Sequence, residues 1–431
     1  MRWLFNFLYL LFFLVTSPWM LWRIFQGKSR RGWLQRFFGI VPRCTPTTPC
    51  LWMHAVSVGE VNLLQPVIDE LLTKQPDLQI AISTSTETGF DLAKEKYTQH
   101  QVFFCPHDFT WAIKNVIKRI KPDAIVLAEL ELWPNLIGVA NTFQIPTIVI
   151  NGRVSENSHR GYQRFKALTA PMFRELSLVL AQTQTYADRF IDLGCEKTRV
   201  LISGSVKFDG VTTNPNNPTT QKLADEAGFR PEDFVFVAGS TQLEEDLIAT
   251  EVFTRLRPEF PVLKLVLVPR HPNRCQQLKQ QLQRSSTEVD LRTDMPTNRN
   301  TNTPLVVNII GELSHWWGRA NAAYVGGSMG SREGQNMIEP SAYGVPTSFG
   351  PRTKNFRDVV NQLLSQEAAV VVNNANELER FLRDCLTSAQ TMKAMGDRAK
   401  KIVNQNVGAA NKTADQILGL IADRPSSKNR Y

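Results

Sequence analysis

At 431 residues the chain has room for two domains of ordinary size, and its 42% hydrophobic and 21% charged composition excludes large-scale disorder. A net charge of +9 would suit a nucleic-acid partner if it were spread over a face. Instead, seven basic residues (Arg2, Arg23, Lys28, Arg30, Arg31, Arg36, Arg43) precede the first acidic one, Glu60, and no interleaved basic and aromatic stripe follows, so nucleic-acid binding is excluded.

The chain opens on an uncharged run from Trp3 to Trp22, with Trp3, Trp19 and Trp22 at its ends. Its length and aromatic flanks predict a membrane anchor over residues 1–26, followed by a basic membrane-proximal segment over 27–49. Basic residues after the run place the main body in the cytoplasm, on the inner face of the membrane. The run lacks a small-residue cleavage site, which argues against a cleaved signal peptide. Pro18 leaves a hairpin-like or interfacial anchor as the alternative to a span. The six cysteines show no C-x-x-C and no zinc-ligand spacing, and they read as reduced structural thiols.

From residue 50 short apolar runs alternate with amphipathic stretches. Strands are expected at Leu51–Val56, Gln79–Ile82, Gln101–Phe104, Ala124–Leu127, Thr147–Ile150, Leu178–Leu180 and Val200–Ile202. This alternation predicts a parallel sheet covered on both faces, and assigns 50–208 to a first Rossmann-like domain. Residues 209–220, centred on Thr212–Thr220, read as a linker. A second α/β series follows at Phe234–Val237, Leu263–Leu267, Leu305–Val307, Ala322–Val325, Thr347–Phe349 and Ala368–Val372, and assigns 221–423 to a second Rossmann-like domain with a polar tail at 424–431. Two such sheets facing one another would leave a cleft at the carboxyl ends of their strands.

Polar residues gather just after these strands. Ser57-Val-Gly-Glu60, Glu129-Leu-Glu131 and Asn151-Gly-Arg153 follow strands of the first half. Gly239-Ser-Thr241, Pro269-Arg-His271, Gly311-Glu312 and the glycine-rich loop from Gly326, which leads to a helix opening near Asn336, follow strands of the second. Lys207 stands at the crossover. A lone Glu at a helix start ordinarily compensates the helix dipole, and glycines after strands are ordinarily turns. Their joint occurrence at strand ends of two domains points to a site instead. Carboxylates in the first half suit general-base work on a hydroxyl. Cations, glycine-loop N–H groups and Glu339 in the second half suit a nucleotide whose phosphate departs and whose ribose is held by the acid. No Asp-x-Asp or His- or Cys-rich metal motif occurs, and the pattern points to sugar transfer from a nucleotide donor.

The motifs His54-Ala-Val-Ser-Val-Gly-Glu60, Glu129-Leu-Glu-Leu-Trp-Pro-Asn135, Asn151-Gly-Arg-Val-Ser155, Gly204–Asp209, Val268-Pro-Arg-His-Pro272, Gly311-Glu-Leu313 and Asn336–Pro340 occur in one chain and in this order. Jointly they resemble the 3-deoxy-D-manno-octulosonic acid (Kdo) transferases. The resemblance implies a GT-B glycosyltransferase fold of two facing Rossmann-like domains. It also implies inverting, metal-independent transfer from CMP-Kdo to a lipid A precursor at the membrane, with no cofactor. By matched position, Glu60 would be the general base, with Glu129 and Lys207 assigned to transition-state stabilisation. Pro269, Arg270, Ile310, Gly311, Glu312, Asn336, Met337, Ile338 and Glu339 would form the CMP pocket. The chain departs from the pattern at Glu333-Gly-Gln335, where Gly-Gly-His is usual, and at Gln242, which replaces a His. A GT-B enzyme using another nucleotide sugar, or an idle anchored scaffold that binds nucleotide or lipid, are the alternatives.

Overall fold

The computed structural model describes residues 5–7, 9–11, 13–17, 31–44, 48–211, 214–296 and 298–422. Two compact units emerge, one of residues 1–209 with 407–431 and the other of residues 210–406.

The first unit is built on seven parallel strands: β1 (Cys50–His54), β2 (Gln79–Thr84), β3 (Gln101–Phe104), β4 (Ala124–Ala128), β5 (Thr147–Gly152), β6 (Leu178–Ala181) and β7 (Val200–Ile202). Their order is β3-β2-β1-β4-β5-β6-β7. Apolar side chains alternate between the two faces, as the two-residue period of a strand requires. Trp52, Ile125 and Leu127 join one core cluster, while Leu51, Met53 and Val126 join the other. Helices cover both faces, which is why β1, β4 and β5 are buried along their whole length.

The second unit repeats the plan with β8 (Phe234–Thr241), β9 (Leu263–Pro269), β10 (Asp290–Leu291), β11 (Leu305–Val306), β12 (Ala322–Val325), β13 (Thr347–Phe349) and β14 (Val370–Val371). The order is β10-β11-β9-β8-β12-β13-β14, again with parallel pairing. In each sheet the chain order reverses beside the first strand, between β1 and β4 and between β8 and β12. That is where an open parallel sheet leaves a crevice at its carboxyl edge.

The domain limits expected from the sequence differ at the C-terminus. The helix Ala409–Ala422 does not close the second domain but packs on the first sheet, burying Ala410, Ala414 and Ile417 beside Leu64 and Ile68. Asp209 fixes its start, accepting the N–H groups of Gly408 (2.6 Å) and Ala410 (2.7 Å). Asn411 to Glu70 and Lys74 to Asp415 tie the same helix to Val58–Lys74. The expected linker at 209–220 is also shorter than its composition suggests. Asn217 accepts the Thr220 N–H (2.9 Å) and starts a helix, Pro218–Glu226.

Among the described residues no helix is long and apolar enough to cross a membrane. Much of the expected anchor (1–4, 8, 12 and 18–26) lies outside the described residues, as does the tail from 423. The described residues between 5 and 17 are helical and rest against the first unit, with Asn6 bonded to Thr110 and Tyr9 to Asp108. Two charges of the basic segment are also engaged by protein: Arg36 is buried, donating to the Ser85 carbonyl and lying over the Phe104 ring, and Arg31 pairs with Asp91.

Replacing Asp209 by Ala leaves two helix-start N–H groups without an acceptor, a loss of about 1 kcal/mol. Urea unfolding of Asp209→Ala should show that loss together with faster amide exchange confined to 409–422; an unchanged helix would contradict this role.

Candidate active site

In the first unit the functional side chains lie where β1 and β4 end. Ser57 caps the helix Val58–Lys74, and Glu60 folds back over the cap. Glu60 Oε2 accepts the Val56 N–H (2.8 Å) and Oε1 accepts the Ser57 hydroxyl (3.1 Å). The Glu60 side chain thus reaches back over its own helix start, and these two bonds fix the direction of its carboxylate. Burial pushes the Glu60 pKa up and nearby Glu129 adds to that, while the Val56 and Ser57 bonds and Lys207 oppose it. A carboxylate so placed is a stronger base than an exposed one.

Glu129 leaves β4 with φ 54°, in the left-handed region that is costly for a side chain of this kind. Its N–H is held by the Ile150 carbonyl (2.9 Å), and Oε1 meets Lys207 Nζ at 3.1 Å. Asn151, buried at the end of β5 with φ 52°, serves both partners. Its Nδ2 donates to Glu129 (3.4 Å), and its Oδ1 accepts the Val206 N–H (3.2 Å) in the short turn that presents Lys207. The structure thus brings Glu60, Glu129 and Lys207 together, with Asn151 orienting the Glu129–Lys207 pair.

Glu131, the second carboxylate of the Glu129-Leu-Glu131 motif, joins them. It stands two residues beyond Glu129, and burial, then Glu60, then Glu129 push its pKa up to about 7. Three carboxylates and one lysine therefore share this edge, with the lysine bonded to Glu129. His54, by contrast, is a buried neutral imidazole: burial lowers its pKa to about 4, and Nδ1 lies against the Ser83 carbonyl and hydroxyl.

In the second unit a pocket of about 280 Å³ opens at the β8/β12 crevice. Of the expected residues, Arg270, Gly311, Asn336 and Glu339 line it, joined by Ser240, Trp317 and Gln335. Glu339 accepts Asn336 Nδ2 (3.0 Å) on one oxygen and Trp317 Nε1 (3.1 Å) on the other. Burial raises its pKa, and Arg270 is among the groups that oppose the rise. Pro269, Ile310, Glu312, Met337 and Ile338 do not line the pocket. Met337 and Ile338 are core side chains, Ile310 is exposed, and Glu312 is engaged by Arg292 and Trp316. Pro269 ends β9, where the following Arg270 N–H bonds to the Thr241 carbonyl. The Trp316-Trp317 pair soon after Gly311-Glu312 was the available sign of a pocket wall.

The glycine-rich loop is not the free phosphate cradle its composition suggests. The N–H groups of Gly327 (2.7 Å), Ser328 (2.9 Å) and Met329 (2.9 Å) all donate to the buried Glu245 carboxylate, as do Tyr324 Oη and the Gln242 N–H. Gly326 is required for another reason: a Cβ there would lie 2.4 Å from Thr241 Cα. Gly239 similarly makes room for the Trp317 ring. Among the described residues no group of His, Cys, Asp and Glu is placed to hold a metal ion.

A family model described as 3-deoxy-D-manno-octulosonic-acid transferase (kdotransferase) matches residues 31–210. The chain is 30% identical to the 3-deoxy-D-manno-octulosonic acid transferase of Haemophilus influenzae over 378 residues, covering 86% of this chain and 87% of that one. It is 26% identical to the Chlamydia trachomatis (serovar A) protein of the same name, over 96% of each. Among solved structures, a glycosyltransferase from Rickettsia africae (TM-score 0.57, 12% identity, 88% of this chain and all of that one) and Anabaena Alr3699/HepE in complex with UDP (TM-score 0.56, 14%, 86% and all) share the fold.

A carboxyl group with a raised folded pKa favours the native state while protonated, and that contribution is lost as pH rises through about 7. Glu131→Gln should therefore unfold at a higher temperature than the parent at pH 8, with the difference shrinking at pH 5. Equal melting differences at the two pH values would contradict the environment assigned to Glu131.

Proposed function

The chain belongs to the 3-deoxy-D-manno-octulosonic acid (Kdo) transferase family, and from that premise we propose that it moves Kdo from CMP-Kdo to a lipid A precursor with Glu60 as the general base. Kdo transfer in lipopolysaccharide biosynthesis is the family's chemistry, and the match spans 87% of the Haemophilus influenzae relative and 96% of the Chlamydia trachomatis one. The observation that carries the assignment of the base is the Glu60 carboxylate. It is locked by Val56 and Ser57, its pKa is raised, and it sits beside a Glu129–Lys207 pair.

In this reading Glu60 takes the proton of the acceptor hydroxyl as its oxygen bonds to the anomeric carbon of Kdo. The bond from that carbon to the CMP phosphate oxygen breaks, and its electron pair leaves with CMP. Displacement from the opposite face inverts the centre, and the glycosyl cation character of the transition state is met by Glu129, which Lys207 holds in place at 3.1 Å. Glu339, held by Asn336 and Trp317, has acceptor capacity left for ribose hydroxyls, and Arg270 supplies positive charge in the same pocket. Because Glu60 works only as a carboxylate, transfer falls as pH drops through its folded pKa, above the ordinary carboxylate range.

A lipid acceptor has to be met at a membrane. Phe7, Leu10, Leu11, Leu14 and Val15 are exposed on the N-terminal helical residues, and Trp33, Leu34 and Phe38 are exposed further along the chain. Such a surface suits insertion into the bilayer interface.

Glu60→Gln can still accept the Val56 N–H on its amide oxygen and can donate from Nε2 to the Ser57 hydroxyl, so it removes the base while keeping contacts at the helix start. It should lower kcat roughly 10²- to 10⁴-fold while melting temperature and CMP binding hold; turnover near the parent's would remove Glu60 as the base. Arg270→Ala should weaken CMP roughly tenfold or more by calorimetry, as expected for loss of a charge-assisted bond. Unchanged affinity would place Arg270 outside the nucleotide site.

A further inference from the structure

The N-terminal helical residues have a polar inner side that ends beside the catalytic loop. Asn6 Oδ1 accepts both the Thr110 N–H (3.2 Å) and Asn135 Nδ2 (3.0 Å), and Asn6 Nδ2 donates to Thr110 Oγ1 (2.8 Å). Tyr9 Oη donates to Asp108 Oδ2 (3.1 Å). Asp108 in turn accepts the N–H groups of Asn135 (2.9 Å) and Leu136 (2.8 Å), and its carbonyl accepts Asn135 Nδ2 (2.6 Å). Asn6, Asp108 and Asn135 are 5%, 6% and 0% exposed, so these bonds form out of water, where leaving one unmade is costly.

The network replaces caps that two helices lack. Helix Thr110–Ile120 starts at Phe109 and helix Pro134–Thr142 at Trp133, and neither residue offers a side-chain cap. Asn6 supplies an acceptor to the first, and Asp108 supplies two to the second. The five residues just before Pro134 are 129–133, the loop that carries Glu129 and Glu131. That loop is held at its entry by the Glu129 N–H to Ile150 bond and at its exit by Asp108 and Asn6.

We propose that Asn6, Tyr9 and Asp108 are positioning residues for the transfer reaction, so that the inner side of the N-terminal helical segment orients the Glu129–Glu131 loop while its outer side, which takes no part in that, faces lipid. The proposal rests on the functional reading above. Attachment to lipid and orientation of the Glu129–Glu131 loop would be two services of one segment, delivered by opposite sides of it. Loss of the inner bonds would leave the nucleotide pocket intact, because that pocket belongs to the other unit.

The test uses the full-length protein in detergent micelles, where membrane attachment does not limit the reaction. Asn6→Ala should lower kcat at least tenfold with CMP affinity unchanged, and amide exchange over 129–136 should rise. Asn6→Asp keeps both acceptor bonds and should restore both readouts, which a general loss of stability would not do. Leu14→Ser, on the exposed side, should weaken co-sedimentation with anionic phospholipid vesicles yet keep kcat in micelles. If Asn6→Ala loses vesicle binding but retains full kcat and parental exchange in micelles, the segment is an attachment device alone and the proposal fails. It fails too if exchange over 129–136 stays parental in an Asn6→Ala protein of any activity. A parent that binds CMP but transfers no Kdo would instead sink the functional reading, and the exchange comparison of Asn6→Ala with Asn6→Asp would still decide the positioning role.

Discussion

A parallel sheet whose chain order reverses beside its first strand leaves one place where the loops at its carboxyl edge part, and this molecule uses that constraint twice. Between β1 and β4 the departing chains carry Glu60 and Glu129, and between β8 and β12 they carry Ser240 and Gly326. Three residues with side chains adopt left-handed backbone at these edges: Glu129, Asn151 and Ser240, with φ of 52–54°. Each such conformation costs on the order of 1–3 kcal/mol and persists only where neighbours hold it. The holding bonds are visible: Ile150 to Glu129, Asn151 to Val206, and the β8–β9 ladder that shifts register around Ser240.

Buried carboxylates fix other loops and helix starts, and their saturation separates scaffold from chemistry. Glu245 accepts five donors, more than its four lone pairs fully serve, and is spent on fixing the glycine loop. Asp108 accepts two N–H groups and a phenol through its carboxylate, and Asp209 accepts two N–H groups. Glu60 also receives two protein donors, but it lies among like charges with a raised pKa. It is fixed in place and still able to take a proton. Glu129 is distinguished differently, by a lysine at 3.1 Å.

Most strands were legible because parallel strands buried on both faces are nearly continuous apolar runs, and Gln101–Phe104 and Ala322–Val325 match their expected limits; Val200–Ile202 matches too, although it is half-buried to exposed. Asp290–Leu291 was missed because two residues carry no period. The terminal helix was legible as a helix but not as part of the first unit. A stripe of Ala410, Ala414 and Ile417 says that a face is buried, not on which sheet. At the site, motif spacing brought out Glu60, Glu129, Lys207, Arg270 and Glu339. It did not reveal Glu245, since Glu244-Glu-Asp246 at a helix start is also what dipole compensation looks like. Nor could it separate Asn336, on the pocket, from Met337 and Ile338, whose side chains turn into the core. Adjacent residues at a helix start diverge in direction, and only packing decides which one faces the ligand.

The central claim is that the chain transfers Kdo from a cytidylate donor to a lipid acceptor. Incubating the purified full-length chain with CMP-Kdo and a tetraacylated lipid A precursor, with products read by mass, tests it most directly. The account predicts acceptor heavier by whole Kdo residues and release of CMP, with no sugar added when a UDP-sugar replaces the donor. An acceptor unchanged by CMP-Kdo but glycosylated from a UDP-sugar would contradict it.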